Sequence, residues 1–312
     1  MKISLLMGAN RTYRGLKVHR DSRETLEELY DIGYRSIDFP FTGTDNPGFI
    51  LNQEDWRSRI EAVARRAQEL GVTFDQCHLP FPRGAGFRDD KRFQQSGFQE
   101  HFDTCMARSI EAASILGVKY ATAHPLSDTQ MLADVNHQRE INHAYYDKYI
   151  EQAASLGVGI AFENMRIQIP LGDWPYRYCC HVDELVDLID SYADPLVGGC
   201  WDTGHGHTQK QNQRIAINKL GSRLRNLHIN DCEYKKRDEH LLPYMGTIDW
   251  NDFVEGLLDV NYRGVLNYEV GKVTLDCPAQ LQKIMLQSVY NNGLILLEQY
   301  EQALKRRTGE EG

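Results

Sequence analysis

Apolar residues recur along this chain in two rhythms, and a glycine marks the change from one to the other. Leu26, Leu29 and Tyr30 share a helical face, as do Ile60, Val63, Ala64 and Ala67, and Phe102, Met106, Ile110 and Ala113. Ile32-Gly33-Tyr34, Leu70-Gly71-Val72, Leu116-Gly117-Val118 and Leu156-Gly157-Val158 then each close a helix and open a strand. Glycine fits the left-handed position just past a helix end. The apolar residue before it packs the last turn, and the run after it begins a strand. Asp21 with Glu24 reads as a capping box. Strand starts fall near residues 3, 35, 72, 118, 158, 197, 224 and 265, with helical segments between them. This alternation predicts a parallel sheet. Eight units predict closure into a (β/α)8 TIM barrel, one α/β domain over residues 1–304. The last helix is expected over Ala279–Leu304, with 305–312 as a flexible C-terminal tail. A doubly wound open sheet would want a GxGxxG loop after an early strand, and GANRTYRG lacks that spacing.

Six consecutive strands end alike. Val72–Cys77 runs into His78, Val118–Ala123 into His124 and Val158–Phe162 into Glu163. Val197–Trp201 runs into Asp202, Leu224–Leu227 into His228 and Val265–Tyr268 into Glu269. The C-terminal strand ends of a parallel barrel share one mouth, so these side chains are expected to converge. Each alone has a plainer role. Glu163 or Glu269 suits a rim salt bridge, Asp202 in CWDTGHGH suits a helix N-cap, and His228 in NLHIND suits a satisfied core group. Together Glu163, Asp202, His228 and Glu269 supply three carboxylates and one imidazole. That oxygen-rich set suits Mn²⁺, Mg²⁺, Co²⁺ or Zn²⁺ with positions open to substrate oxygens.

Further residues are expected on the same rim. His205 follows Asp202 by three, and Asp238 and His240 lie in RDEHLLPYMGTIDW, ahead of a turn at Gly246 and a helix start at Asp249-Trp250. Trp174, Tyr176 and Tyr178 in the loop after Glu163 would either wall a pocket from water or form a subunit contact. Arg11, Tyr13, Arg14, Lys17 and His19 read as a solvated first loop, with an anion-binding role as the alternative.

Composition narrows the function classes. A chain of 312 residues with 41% hydrophobic content is long enough for a barrel with a substantial core. A net charge of −9 argues against a general polyanion binder. No apolar run approaches the ~18 residues of a membrane span, and MKISLLMGANR lacks a signal-peptide pattern. The seven cysteines have no disulfide-scaffold spacing, and neighbouring Cys179 and Cys180 read as reduced thiols in a loop. The expectation is a soluble cytoplasmic protein, with homo-oligomerisation open.

Phe-Glu-Asn at 162–164, Asp-Thr-Gly-His at 202–205, His-Ile-Asn-Asp at 228–231 and Tyr-Glu-Val at 268–270 resemble the xylose-isomerase-like TIM-barrel superfamily. PYMGTIDW at 243–250 is similar to its motif before the last unit. The resemblance covers nearly the whole chain. Its sugar branch implies a divalent metal on Glu163, Asp202, His228 and Glu269, with Mn²⁺ foremost and Zn²⁺, Co²⁺ or Mg²⁺ as alternatives. Its apurinic-endonuclease branch implies three zinc ions, and His78, His124, His205, Asp238 and His240 are of the right type for the added ligands. The ligand inventory therefore does not separate the branches. Acidity does lean toward sugars, because Lys235-Lys236-Arg237 is the only compact basic run near the site and DNA needs many phosphate contacts. The PYMGTIDW turn also looks more like the sugar branch.

The resemblance thus implies a metal-dependent sugar or sugar phosphate isomerase/epimerase, working by proton transfer through a metal-stabilised enediolate. Glu163 and Glu269 would remove and return the proton. His205 would bind a substrate oxygen or orient the surroundings of Asp202, while His78 and His124 would take outer hydroxyls. Dehydration or lyase chemistry on a polyol is the further alternative on this scaffold.

Overall fold

The structure, a computed structural model, describes residues 1–309 apart from 9, 14, 15, 20, 167–176, 234–238 and 274–276, with side chains omitted at 10–13, 16–19, 272 and 279. Eight parallel strands form its centre. They are β1 (Ile3–Leu6), β4 (Ser36–Pro40), β5 (Thr73–His78), β6 (Tyr120–Ala123), β7 (Gly159–Glu163), β8 (Val197–Asp202), β9 (Leu224–His228) and β10 (Leu266–Tyr268). Their order around the sheet is β10-β1-β4-β5-β6-β7-β8-β9. The seam between β9 and β10 is closed at its upper end. The Ile229 amide donates to the Asn267 carbonyl at 2.7 Å, and the Glu269 amide donates to the Ile229 carbonyl at 3.0 Å. The sheet is thereby a (β/α)8 barrel, as the alternation of patterns predicts.

Helices α1 (Ser22–Ile32), α2 (Trp56–Leu70), α3 (Phe98–Leu116), α4 (Val135–Ser155), α5 (Val182–Ser191), α7 (Gln213–Leu220), α8 (Trp250–Asp259) and α9 (Ala279–Thr308) surround the barrel, and the short α6 (Thr203–Thr208) caps one strand. Their apolar faces are the ones the periodicity marks: Leu26, Leu29, Ile60, Val63, Phe102, Met106 and Ile110 are buried against the strands. The glycines act as expected. Gly71 and Gly117 are left-handed, with φ of 68° and 75°. The following amides, of Val72 and Val118, reach back to the carbonyls of Ala67 and Ala113 at 2.9 Å. That 6→1 bond ends the helix and aims the chain into the next strand.

The barrel interior is partly polar. The Gln76 amide of β5 donates to Asp38 of β4 at 2.9 Å and to the Leu227 carbonyl of β9 at 3.3 Å. Asn267 of β10 donates to Asp38 at 3.0 Å, and Asn226 of β9 donates to the Thr122 hydroxyl of β6 at 2.9 Å. Most of these bonds join strands that are not neighbours, so they cross the lumen and brace it below the mouth.

Three local expectations are corrected. The first loop contains an antiparallel hairpin of β2 (Asn10–Tyr13) and β3 (Leu16–His19), whose short basic strands lack the alternation that would announce them. Helix α9 runs to Thr308 instead of stopping at Leu304, and Arg307 pairs there with Glu255 and, at 2.8 Å, with Asp259. Asp21 caps α1 through the Arg23 amide at 2.7 Å, not the Glu24 amide. Among the described residues, which include all seven cysteines, no disulfide forms, and no helix is long and apolar enough to cross a membrane.

Candidate metal centre

Four strand ends build the site. Glu163, Asp202 and His228 are the last residues of β7, β8 and β9, and Glu269 directly follows β10. The parallel register puts Asp202 level with His228. One ligand atom from each of these four residues falls within 4.8 Å of all the others. His78, Glu163 and His228 form a second, overlapping group. Nδ1 of His228 lies 2.9 Å from Glu269 and 3.3 Å from Oε2 of Glu163. Nε2 of His124 is 3.1 Å and Nε2 of His78 is 3.6 Å from that same Oε2, and Nδ1 of His205 is 3.2 Å from Oε1. All six strand-end side chains therefore converge.

Asp202 is a helix N-cap and also a member of the ligand-type group. Its Oδ1 caps α6 by accepting the His205 amide at 2.7 Å, and its Oδ2 accepts the Asn230 side-chain amide at 2.9 Å. Asn164 locks the same corner, accepting the Asp202 amide at 2.6 Å and donating to its carbonyl at 3.0 Å. Asn230 packs so closely over α6 that a Cβ on Gly204 would sit 1.9 Å from its Oδ1. The glycine in DTGHGH is thus required by this approach.

Glu163 is buried, and its ion-pair partners among the described residues are the four imidazoles of His78, His124, His205 and His228. Burial pushes its carboxyl up, but His228 and His124 outweigh that and hold it well below the usual range. Burial also opposes ionisation of Glu269, yet His228 brings it down to about 2. His228 is the counterpart. Burial presses its pKa down, while the surrounding Cys200, Glu163 and Glu269 raise it well above the ordinary histidine value. Burial works against protonation of His78 as well, and Glu163 reverses it, giving a net rise. At His124 burial wins and the pKa falls to about 4, so this ring is neutral at physiological pH.

The donor set fits a divalent cation. Three carboxylates face one imidazole, so even a protonated His228 leaves the cluster negative. Oε2 of Glu163 and both ring nitrogens of His228 are buried without a hydrogen bond of acceptable geometry. Buried charge without hydrogen-bonded compensation costs several kcal/mol per ion, and an ion bound to Glu163 and to one nitrogen of His228 would supply that compensation.

Among the expected rim residues, His240 donates its Nδ1–H to the Glu269 carbonyl at 2.6 Å, from a backbone φ of 49°. Asp238, Trp174, Tyr176 and Arg14 lie outside the described residues, as do the side chains of Arg11, Tyr13, Lys17 and His19. Tyr178 is buried. Among the described residues, His124, His205 and His240 join neither ligand group, and the two groups share Glu163 and His228. Asp38, Asn164, Asn230 and Phe81 also join the site, with no role expected of them from the sequence. Asn164 and Asn230 stand next to or near a ligand in FENM and HIND. Asp38 was signalled by a charge inside the buried strand SIDFP. Phe81, stacked on His124 with ring centroids 4.0 Å apart, had no sequence signal.

The family model described as xylose isomerase-like TIM barrel matches residues 26–287. A D-psicose 3-epimerase of Enterocloster bolteae is 30% identical over 82 residues, which is 26% of this chain and 25% of that protein. The chain thus spans about a quarter of the length of this curated relative. In fold, it is similar to a D-psicose 3-epimerase from Clostridium cellulolyticum H10 solved with D-tagatose, with a TM-score of 0.71, 17% identity, and coverage of 95% of this chain and 99% of that one. It is equally similar to an IOLI protein solved with a zinc atom, with a TM-score of 0.71, 17% identity, and coverage of 96% and 99%. The family match takes in well over half of the sequence, and the chain belongs to the xylose isomerase-like TIM barrel family.

Proposed function

We propose that this protein is a divalent-metal-dependent sugar epimerase or isomerase that acts by proton transfer at carbon. The observation that carries the reading is the gathering of Glu163, Asp202, His228 and Glu269 within 4.8 Å at one barrel mouth. Mn²⁺ suits that oxygen-rich set first, with Co²⁺, Zn²⁺ and Mg²⁺ behind it. The epimerase names of relatives on this fold support a ketose as substrate.

A divalent ion, when bound, supplies Lewis acidity at the carbonyl and neighbouring hydroxyl oxygens of the sugar. The protein's own groups do the rest. Glu163 and Glu269 stay ionised across the neutral range, so either can accept a proton. They stand on different strands: one takes the α-proton and later releases it to solvent, while the other, protonated from solvent during turnover, delivers a proton to the opposite face. Return to the same carbon epimerises it, and return to the neighbouring carbon isomerises the sugar. His124, neutral and beside Glu163, hydrogen-bonds a substrate hydroxyl, and Phe81 presents an apolar wall next to it. His205 commits Nδ1 to the Asn164 carbonyl at 2.8 Å and steadies Glu163 from its other oxygen. His240 completes the rim beside Glu269.

The test uses protein stripped with chelator and reloaded with Mn²⁺, given D-psicose, D-tagatose and a ketopentose in D₂O. Deuterium is expected at the carbon whose configuration changes, and only in the reloaded sample. Metal-dependent cleavage of an abasic-site duplex, with no ketose converted, would overturn the proposal.

A further inference from the structure

The buried carboxylate of Asp38 is not one of the four ligand groups, and the proton-transfer scheme above does not use it. It is the third residue of β4, points into the lumen and has 0% exposure. A carboxylate in such a place is costly unless partners compensate it. Among the described residues its hydrogen-bond donors are amides: Gln76 at 2.9 Å and Asn267 at 3.0 Å, both to Oδ2. Oδ1 has no partner. Among the described residues the cationic candidate beside it is His228, with Nε2 at 3.6 Å from Oδ2, just beyond hydrogen-bond distance.

The His228 ring thus stands between two sets of carboxylates. Its Nδ1 edge faces Glu269 at 2.9 Å and Glu163 at 3.3 Å, and its Nε2 edge faces Asp38. A neutral imidazole carries one N–H, and the partner of one nitrogen decides which nitrogen keeps a lone pair. With the proton on Nε2, the N–H points at a carboxylate oxygen and the Nδ1 lone pair points into the ligand cluster. The other tautomer sets a lone pair against Asp38 and turns the N–H on the position a cation would take. Two further contacts fix the ring. His78 stacks on it with centroids 5.4 Å apart and planes 19° from parallel. Gln76 also donates to the Leu227 carbonyl, one residue before His228. Asn267 is two residues before Glu269, on the same strand face by the twofold alternation of β-structure. Asp38 is therefore tied to both strands that carry the last two ligands.

We propose that Asp38 is a positioning residue for the metal centre: it accepts the Nε2 proton of His228 and so presents Nδ1 to the cation. The inference rests on the metal-dependent reading above. Asp38→Asn preserves shape and can keep an oxygen for Gln76 and Asn267, while removing the charge that selects the tautomer. Loss of such an outer partner weakens metal affinity about 10- to 100-fold.

The experiment measures Mn²⁺ affinity by competition against a chelator in wild type and Asp38→Asn, with the visible spectrum of the Co²⁺-loaded forms and the melting temperature of the metal-free forms. The expected result is the affinity loss and an altered Co²⁺ spectrum with a metal-free melting temperature unchanged or higher. A second measurement needs no variant at Asp38. In ¹⁵N-histidine protein loaded with Zn²⁺, the His228 signal, identified by its absence in His228→Asn, should be that of the Nε2–H tautomer. Unchanged affinity and spectrum in Asp38→Asn, or an Nδ1–H signal for His228, would overturn this inference while leaving the metal centre standing. Wild-type protein that binds no divalent ion would overturn both.

Discussion

Acidic side chains meet two different fates in this molecule. On the outer seam of α7, α8 and α9, Asp259 accepts from Arg214 at 2.6 Å, from Arg307 at 2.8 Å and from Asn218 at 3.1 Å. Nearby, Lys219 reaches Asp183 at 2.7 Å and Arg223 reaches Asp190 at 2.7 Å. Charge is answered by charge in water, and each such pair stabilises the fold by only about 0–1 kcal/mol. At the barrel mouth, Glu163, Asp202 and Glu269 are met among the described residues by imidazoles and amides. Burial there magnifies every imbalance. The outer acids are complete as they stand. The inner ones are gathered at one mouth in a set that could hold a metal ion.

The contrast predicts unequal responses to the loss of a charge in the two regions. Glu163→Gln should reduce turnover about 10²- to 10⁴-fold, the range for a positioned acid–base group. It should also lower the metal-free melting temperature, because His228 and His124 hold the ionised carboxylate and removing its charge leaves those buried imidazoles without their partner. Steady-state kinetics and thermal scans check the two halves, and wild-type turnover would end the two-carboxylate scheme. Next in size is the metal itself. Mn²⁺ at about 100 times its Kd should stabilise the protein by about 2.7 kcal/mol, and chelation should reverse this in a melting experiment.

Acidity separates the regions as well. The His228 pKa is raised in the metal-free fold. Its contribution to metal-free stability is therefore full below the unfolded histidine pKa and is lost as pH rises through the folded one. Metal binding must displace that proton, so affinity should rise with pH over the same range. Metal-free and Mn²⁺-saturated protein should then show opposite stability trends, and calorimetry in buffers of different ionisation enthalpy should detect proton release on binding. The outer acids behave otherwise. Asp259 is held below its ordinary pKa, first by Arg214. Its contribution is present above the unfolded aspartate value and fades as pH falls through the folded one. The smallest effect belongs to this seam: Arg307→Ala should cost about 1 kcal/mol or less and leave turnover as it was. A larger loss in chemical denaturation would mean that the C-terminal turn of α9 is more than a surface pair.

Much of this was legible in the chain, for identifiable reasons. A helix that ends in glycine and hands over to an apolar strand announces both elements locally, as at Gly71 and Gly117. A ligand directly after a strand announces its direction, because strand ends in a parallel barrel share a face. What escaped depends on distance or on weak patterning. The β2–β3 hairpin has strands of four residues, too short to display an alternation. The extension of α9 depends on Glu255 and Asp259, some fifty residues away in sequence. Asp38 lies inside its strand, where attention to strand ends does not reach, and its partners come from β5, β9 and β10. Nor does the sequence say that Asp202 serves as helix cap and ligand-group member at once, because one residue type suits both.

The most direct measurement is anomalous scattering from crystals of the full chain soaked in Mn²⁺. The account predicts one strong peak bounded by Glu163, Asp202, His228 and Glu269, with Nδ1 of His228 turned toward it. Three peaks spreading to His124, His205 and His240, or a peak away from these four side chains, would contradict it.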